Sequence, residues 1–154
     1  MISENSYFIG HTQETEVFTR RGWRAWPRVN DRDEFLTPAG FQKASELFLS
    51  VPYRGDILSA VCEYGGGFEV TPYYSIVDGR TAEHYNGESL TLATMTSEET
   101  HYNKSDWFKK AYSGFVFGVR TQAEIICTRI SGGVGIWTGP QKNVAKMLEL
   151  RNNL

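Results

Sequence analysis

The sequence predicts an α+β fold. It reads as one domain over residues 1–154, a mostly antiparallel, meander-like sheet with about three helices packed against it. Three observations lead there. A chain of 154 residues with 40% hydrophobic and 22% charged content can bury its own core and is not disordered. The middle third alternates short apolar runs with the hairpin signals Asp78-Gly79 and Asn86-Gly87. Helical patterns fall between groups of strands and do not alternate with them, which argues against a doubly wound sheet.

The elements follow in order. LTPAGFQKASELFLSV has the marks of a helix: Thr37 can cap it and Pro38 suits its first position. Phe41, Ala44, Leu47 and Phe48 recur at helical spacing, and Pro52 closes it. DILSAVCEY reads as a strand, Gly65 to Gly67 as a turn, and FEVTPYYSIV as a second strand bent near Pro72. RTAEHY returns antiparallel after Asp78-Gly79, and SLTLATMT follows Asn86-Gly87 as a strand. Ser105 can cap a short helix, DWFKKAY, with Trp107, Phe108 and Tyr112 facing the core and Gly114 ending it. FVFGVRT and AEIICTRI read as two more strands; Gly132, Gly133 and Gly135 loosen the chain before IWTG. Pro140 opens a last helix, PQKNVAKMLELRN, with Val144, Met147 and Leu148 on its buried stripe. No internal repeat, low-complexity tract or linker is found.

The net charge of −2 gives no global reason to expect nucleic acid or an anionic membrane. Its distribution is uneven. Val17 to Arg32 carries five arginines against one acid, Asp31, a local +4 that leaves −6 for the remainder. Within it, RRGWRAWPR (Arg20 to Arg28) interleaves arginine with tryptophan, and Gly22 and Pro27 disfavour a helix. As an extended segment it would place Arg20, Arg24, Trp26 and Arg28 on one face, with Trp23 and Ala25 on the other. Guanidinium groups pair with carboxylates or phosphates and stack on rings. That face can therefore be an internal salt-bridge face toward Asp31, Asp33 and Glu34, a protein–protein contact, or a site for an anionic ligand or nucleic acid.

Catalytic and metal motifs are incomplete. His11, His84 and His101 have no partners at metal-ligand spacing. His84 lies near Glu83 and Glu88, and His11 near Glu14; either pair could do acid–base work if folding joined them. IGHTQETEV followed by LTPAGFQKASEL is faintly similar to histidine phosphatases. It departs from them where Gly10 stands for the phosphate-binding arginine and Thr12 for a glycine, so a working phosphatase is not expected. The Gly-rich stretches match no phosphate loop. Cys62 and Cys127 sit in apolar strand-like runs and read as free core thiols of a reducing compartment.

The function expected from this pattern is a non-enzymatic binding or assembly protein acting through protein–protein contacts, of the kind found among viral and phage structural or accessory factors. Its partner would be another protein or a second copy, with Arg20, Arg24, Trp26 and Arg28 as the binding residues and no cofactor or metal. A binder of an anionic small molecule, nucleotide or nucleic acid through the same face is the alternative. A small hydrolase using His11 or His84 with Glu14 or Glu88 is the second. MISENSYFIGHTQE lacks the basic start and apolar core of a signal peptide, and no apolar run reaches the roughly 20 residues of a membrane helix. The expected location is the cytoplasm, or the virion of a virus.

Overall fold

A computed structural model describes residues 10–45, 47–62 and 66–139. In chain order the strands are β1 (His11–Thr12), β2 (Glu16–Thr19), β3 (Gly22–Ala25), β4 (Glu34–Thr37), β5 (Gly40–Lys43), β6 (Leu47–Val61) and β7 (Gly67–Val70). They continue as β8 (Ser75–Val77), β9 (Arg80–Thr81), β10 (Leu90–Ala93), β11 (Glu99–Tyr102), β12 (Trp107–Arg120), β13 (Ile126–Arg129) and β14 (Ile136–Thr138). The one α-helix among the described residues is the single turn α1 (Ala82–Tyr85). The α+β expectation is therefore overturned: the fold is nearly all β.

Two of the expected helices are strands. LTPAGFQKASELFLSV forms the β4–β5 hairpin and the start of β6. The Thr-Pro pair that resembles a helix cap is a β-turn. Thr37 Oγ1 accepts from the Ala39 N–H and donates to the Gly40 carbonyl, and Gly40 has φ +97°. That left-handed backbone is open to glycine and ends any helical continuation. In β6 the alternation of Leu49, Val51 and Tyr53 inward with Ser50, Pro52 and Arg54 outward is a period of two. Pro52 sits where β6 is paired on one side only, the position a strand tolerates without an N–H. DWFKKAY begins β12, after Asn103 and Asp106 cap a single 3₁₀ turn over Lys104–Asp106. Phe108 there is 58% exposed, not core. The third expected helix, PQKNVAKMLELRN, lies outside the described residues.

The hairpins also expose a repeat. EVFTRRGW (Glu16 to Trp23) and EFLTPAGF (Glu34 to Phe41) share Glu, two apolar residues, Thr, two turn residues, Gly and an aromatic. Thr19 makes the same pair of bonds as Thr37, accepting from Arg21 N–H and donating to the Gly22 carbonyl, and Gly22 has φ +95°.

Strands β6 and β12 pair antiparallel from Ala60↔Trp107 to Leu47↔Arg120. With β7 and β1 they close a small barrel, because β1 pairs with both β12 and β7. A second sheet runs β14-β13-β2-β4-β5, with β3 on the other edge of β2. The hairpins β8–β9 and β10–β11 complete the body. Asp78 and Gly79, both at positive φ, turn β8 into β9 as the Asp-Gly signal requires. Asn86-Gly87 instead follows α1, with Gly87 at φ +75°.

Two apolar clusters form the core, and β12 feeds both. Val116 belongs to the cluster with Leu58, Phe68, Val70, Tyr74 and Ile76. Its neighbours Phe117 and Val119 belong to the one with Val17, Trp26, Phe35 and Ile126. Successive side chains of a strand point to opposite faces, so one strand serves two cores.

Candidate functional site

Gly10, Thr138 and Gly139, far apart in sequence, are all held on one short segment, Thr71–Ile76. Gly10 donates its amide N–H to Thr71 Oγ1 at 3.1 Å, and the Thr71 N–H returns to the Gly10 carbonyl at 3.0 Å. At the other end Thr138 Oγ1 and the Tyr74 hydroxyl share a hydrogen bond of 2.8 Å. The Gly139 N–H reaches the Ile76 carbonyl at 2.9 Å. Thr71–Tyr74 is itself a turn, closed by the Tyr74 N–H on the Thr71 carbonyl; α1 locks it by bonds from Ala82 and Glu83 to Tyr74 and Pro72. Pro72 thus breaks FEVTPYYSIV into β7, a turn and β8.

Gly10 and Gly139 are both held too tightly for a side chain. A Cβ on Gly10 would lie 2.8 Å from the Phe117 carbonyl oxygen, and one on Gly139 would lie 2.4 Å from that of Glu124. Gly139 also has φ +132°.

His11, next to the first junction, is fully buried. Its ring lies 4.4 Å from that of Tyr74, edge-on, and stacks at 5.8 Å on Trp26, which stacks in turn on Phe117. Neither ring nitrogen has a hydrogen-bond partner among the described residues. Loss of water pushes its pKa down to about 3, so the imidazole is neutral at ordinary pH. Burial likewise raises the Tyr74 hydroxyl above its ordinary value, and the phenol stays protonated. Thr12 Oγ1 donates to Glu69 at 3.0 Å and shares a hydrogen bond with Thr15; Lys110 pairs with the same carboxylate.

The residues expected to bind do not share a face. Trp26 is fully buried in a 3₁₀ turn over Trp26–Arg28, against the rings of His11, Phe35 and Phe117. Arg20 pairs with Glu34 and lies over the Phe41 ring. Arg21 forks onto Asp33 with two bonds of 2.8 Å and holds that carboxyl below its ordinary range. Arg24 bonds the Trp23 carbonyl, and Arg28 is exposed. The extended alternation fails because Arg20-Arg21-Gly22 is the hairpin turn between β2 and β3.

The histidine–glutamate pairs do not converge in a shared pocket. Glu14 is exposed beside the buried His11. His84 and Glu88 are exposed, and the His84 ring lies 3.3 Å from Arg80. His101 bonds Thr91 at the surface. A groove of about 470 Å³ lined by Cys62, Glu98, Thr100, His101 and Asp106 lies apart from the junction. Cys62 and Cys127 are both free and buried; burial pushes the Cys127 thiol up to about 12. No helix among the described residues is long and apolar enough to cross a membrane.

The architecture is that of inteins. The crystal structure of the gp41-1 intein matches with a TM-score of 0.68 at 10% identity, over 84% of this chain and 97% of that one. A splice-inactive, glutathione-linked variant of the AceL NrdHF class 3 split intein gives 0.64 at 12% identity, over 86% and 99%. The solution structure of the DnaX mini intein from Spirulina platensis gives 0.57 at 10%, over 82% and 98%. No protein-family model and no curated protein matches the chain. At these identities the likeness establishes the fold. It overturns the expectation of a non-enzymatic assembly protein of viral type, together with the anion-binder and small-hydrolase alternatives. The structures that share this fold are inteins, self-splicing domains that act chemically on polypeptide.

Sequence reasoning missed Gly10, Thr71, Tyr74, Thr138 and Gly139 as a site. Each is ordinary in its local pattern; they are joined only by the pairing of β1 with β12 and β7 and by the contact of β14 with β8.

Proposed function

We propose that this chain is an intein-type domain whose substrate is its own backbone, at the peptide bonds beside Gly10 and Gly139. One observation carries the reading: Thr71–Ile76 holds both segments, gripping the amide of the peptide bond before Gly10 and, through Tyr74 and Ile76, Thr138 and Gly139. A domain that works on its own flanks must bring two points distant in sequence to one place. Holding them there supplies the proximity that makes an intramolecular step effective. The shared fold of three inteins supports the same reading.

The test places the full chain between two folded reporter domains and follows intact masses at neutral pH. Products broken beside Gly10 or Gly139 are expected, and they should disappear when Thr71→Val removes the grip on the Gly10 amide. A fusion that stays whole through prolonged incubation overturns the reading.

A further inference from the structure

Gly10 and Gly139 are held on Thr71–Ile76 in different ways. At Gly10 both bonds are made by the glycine's own main chain: its N–H goes to the Thr71 hydroxyl and its carbonyl accepts the Thr71 N–H. At Gly139 the main chain makes one bond, from its N–H to the Ile76 carbonyl. A side chain makes the other, between the Tyr74 hydroxyl and Thr138 Oγ1 at 2.8 Å. These two bonds bracket the peptide bond Thr138–Gly139. One holds its nitrogen; the other holds the residue that carries its carbonyl. A single hydrogen bond leaves a peptide group free to swing about it, and a second hold removes that freedom.

Tyr74 is rigid enough to be that second hold. Its N–H closes on the Thr71 carbonyl and its own carbonyl accepts from Ala82, so its backbone is fixed on both sides. Its side chain is buried, with the ring edge-on to that of His11. The Glu124 backbone also crowds Gly139, and Glu124 itself has φ +65°, a conformation that residues other than glycine seldom take. We infer that Tyr74 is the positioning residue for the Thr138–Gly139 bond, acting through Thr138, and that the break beside Gly10 does not depend on its hydroxyl. The inference rests on the intein-type reading above. It makes the two breaks separable: the turn is shared, but the hydroxyl serves one side only. Tyr74→Phe keeps the ring against His11 and removes only the bond to Thr138. Misplacing a reacting bond by about an ångström can cost on the order of a hundredfold in rate. Loss of one of two holds should therefore slow that break by roughly tenfold or more.

The experiment uses the full chain between the same two reporter domains and follows, by intact mass against time, the products broken beside Gly10 and beside Gly139. Urea midpoints check that each variant is folded under the assay conditions. Tyr74→Phe is expected to slow the break at Thr138–Gly139 by roughly tenfold or more and to leave the Gly10-side rate within about twofold. Thr138→Val should do the same, and the double variant should be no slower than either single one. Thr138→Ser keeps the hydroxyl and should retain most of the rate. A general loss of stability would slow both breaks together. That result, or an unchanged rate in Tyr74→Phe, or a Thr138→Ser as slow as Thr138→Val, overturns the positioning role and leaves the intein-type reading standing. A wild-type chain that breaks at Gly139–Pro140, or beside Gly10 alone, does the same. A fusion that stays whole overturns the reading and this inference with it.

Discussion

Gly10→Ala measures how tightly the first junction is built. An ideal Cβ at residue 10 would lie 2.8 Å from the Phe117 carbonyl oxygen and 3.1 Å from its carbonyl carbon and its nitrogen. Ordinary C···O contacts lie at about 3.3–3.6 Å, so the two backbones must part by about half an ångström. Neither can do so freely. Phe117 is paired to Ser50 of β6 on one side and to His11 on the other, and Gly10 is tied to Thr71 by two hydrogen bonds. Overpacking of this kind costs about 1–3 kcal/mol. Weakening the two bonds to Thr71 adds up to about 1 kcal/mol each, for a total of roughly 2–5 kcal/mol. The control is Gly22→Ala, where φ is +95° but nothing lies within 4 Å; left-handed backbone alone costs about 1–2 kcal/mol. Urea unfolding followed by circular dichroism should show the Gly10→Ala midpoint lowered by about 1–2.5 M, for a slope of about 2 kcal/mol/M. The Gly22→Ala midpoint should fall by less. A Gly10→Ala midpoint equal to or above that of Gly22→Ala would refute the close approach and the junction built on it.

Trp26→Ala should destabilise the protein by about 3–5 kcal/mol in the same assay, because Trp26 is a core residue of the second cluster; a loss below about 1 kcal/mol would contradict its burial. Tyr74→Phe and Thr138→Val should each cost about 1–3 kcal/mol by leaving one buried hydroxyl unpaired. The double variant should cost clearly less than their sum, and strict additivity would show that the bond is not made. His11 is lowered to about 3 when folded against 6.5 unfolded, so the unfolded chain binds more protons between those values. Its contribution is complete above about pH 6.5 and declines as the pH falls toward 3, by at most about 1.4 kcal/mol per pH unit. Urea midpoints from pH 7 to 4.5 should fall in the wild type and less in His11→Gln; parallel curves would place His11 in contact with water.

The strands of the middle region are legible in part, where their signals are local; RTAEHY returns antiparallel only over Arg80–Thr81 and then turns into α1. Asp78-Gly79 makes the turn it encodes, and Leu90 and Leu92 alternate inward as a half-buried strand should. The β4–β5 hairpin is not, because Thr-Pro-Ala-Gly satisfies two local rules at once. Threonine followed by proline suits a helix start and equally the first two residues of a turn. Gly40 decides for the turn, and the matching Thr19-Arg20-Arg21-Gly22 turn is the independent witness a comparison of the two octapeptides would have supplied. For β12 no local signal suffices. Trp107, Phe108 and Tyr112 fit a helical stripe, and their strand conformation comes from pairing along all of β6 across the chain.

The junction was harder still to see, for a reason that bears on its chemistry. Its polar contacts join residues 61 and 64 positions apart, Gly10 to Thr71 and Tyr74 to Thr138. They are made by threonine and tyrosine, which also belong to ordinary β-strands. A branched threonine packs like valine on a pleated surface, so its presence in a strand demands no explanation. Burial changes that. Thr12, Thr15, Thr71 and Thr138 are each at most 1% exposed, and each hydroxyl must find a partner inside. Three of them are matched with other hydroxyls or a carboxylate, and Thr71 takes a main-chain amide. The amide it takes belongs to the peptide bond that leads into the barrel. A buried hydroxyl that only needed a partner could have used a strand or turn nearby. Thr71 instead reaches 61 residues back to fix the backbone at Gly10, immediately before β1.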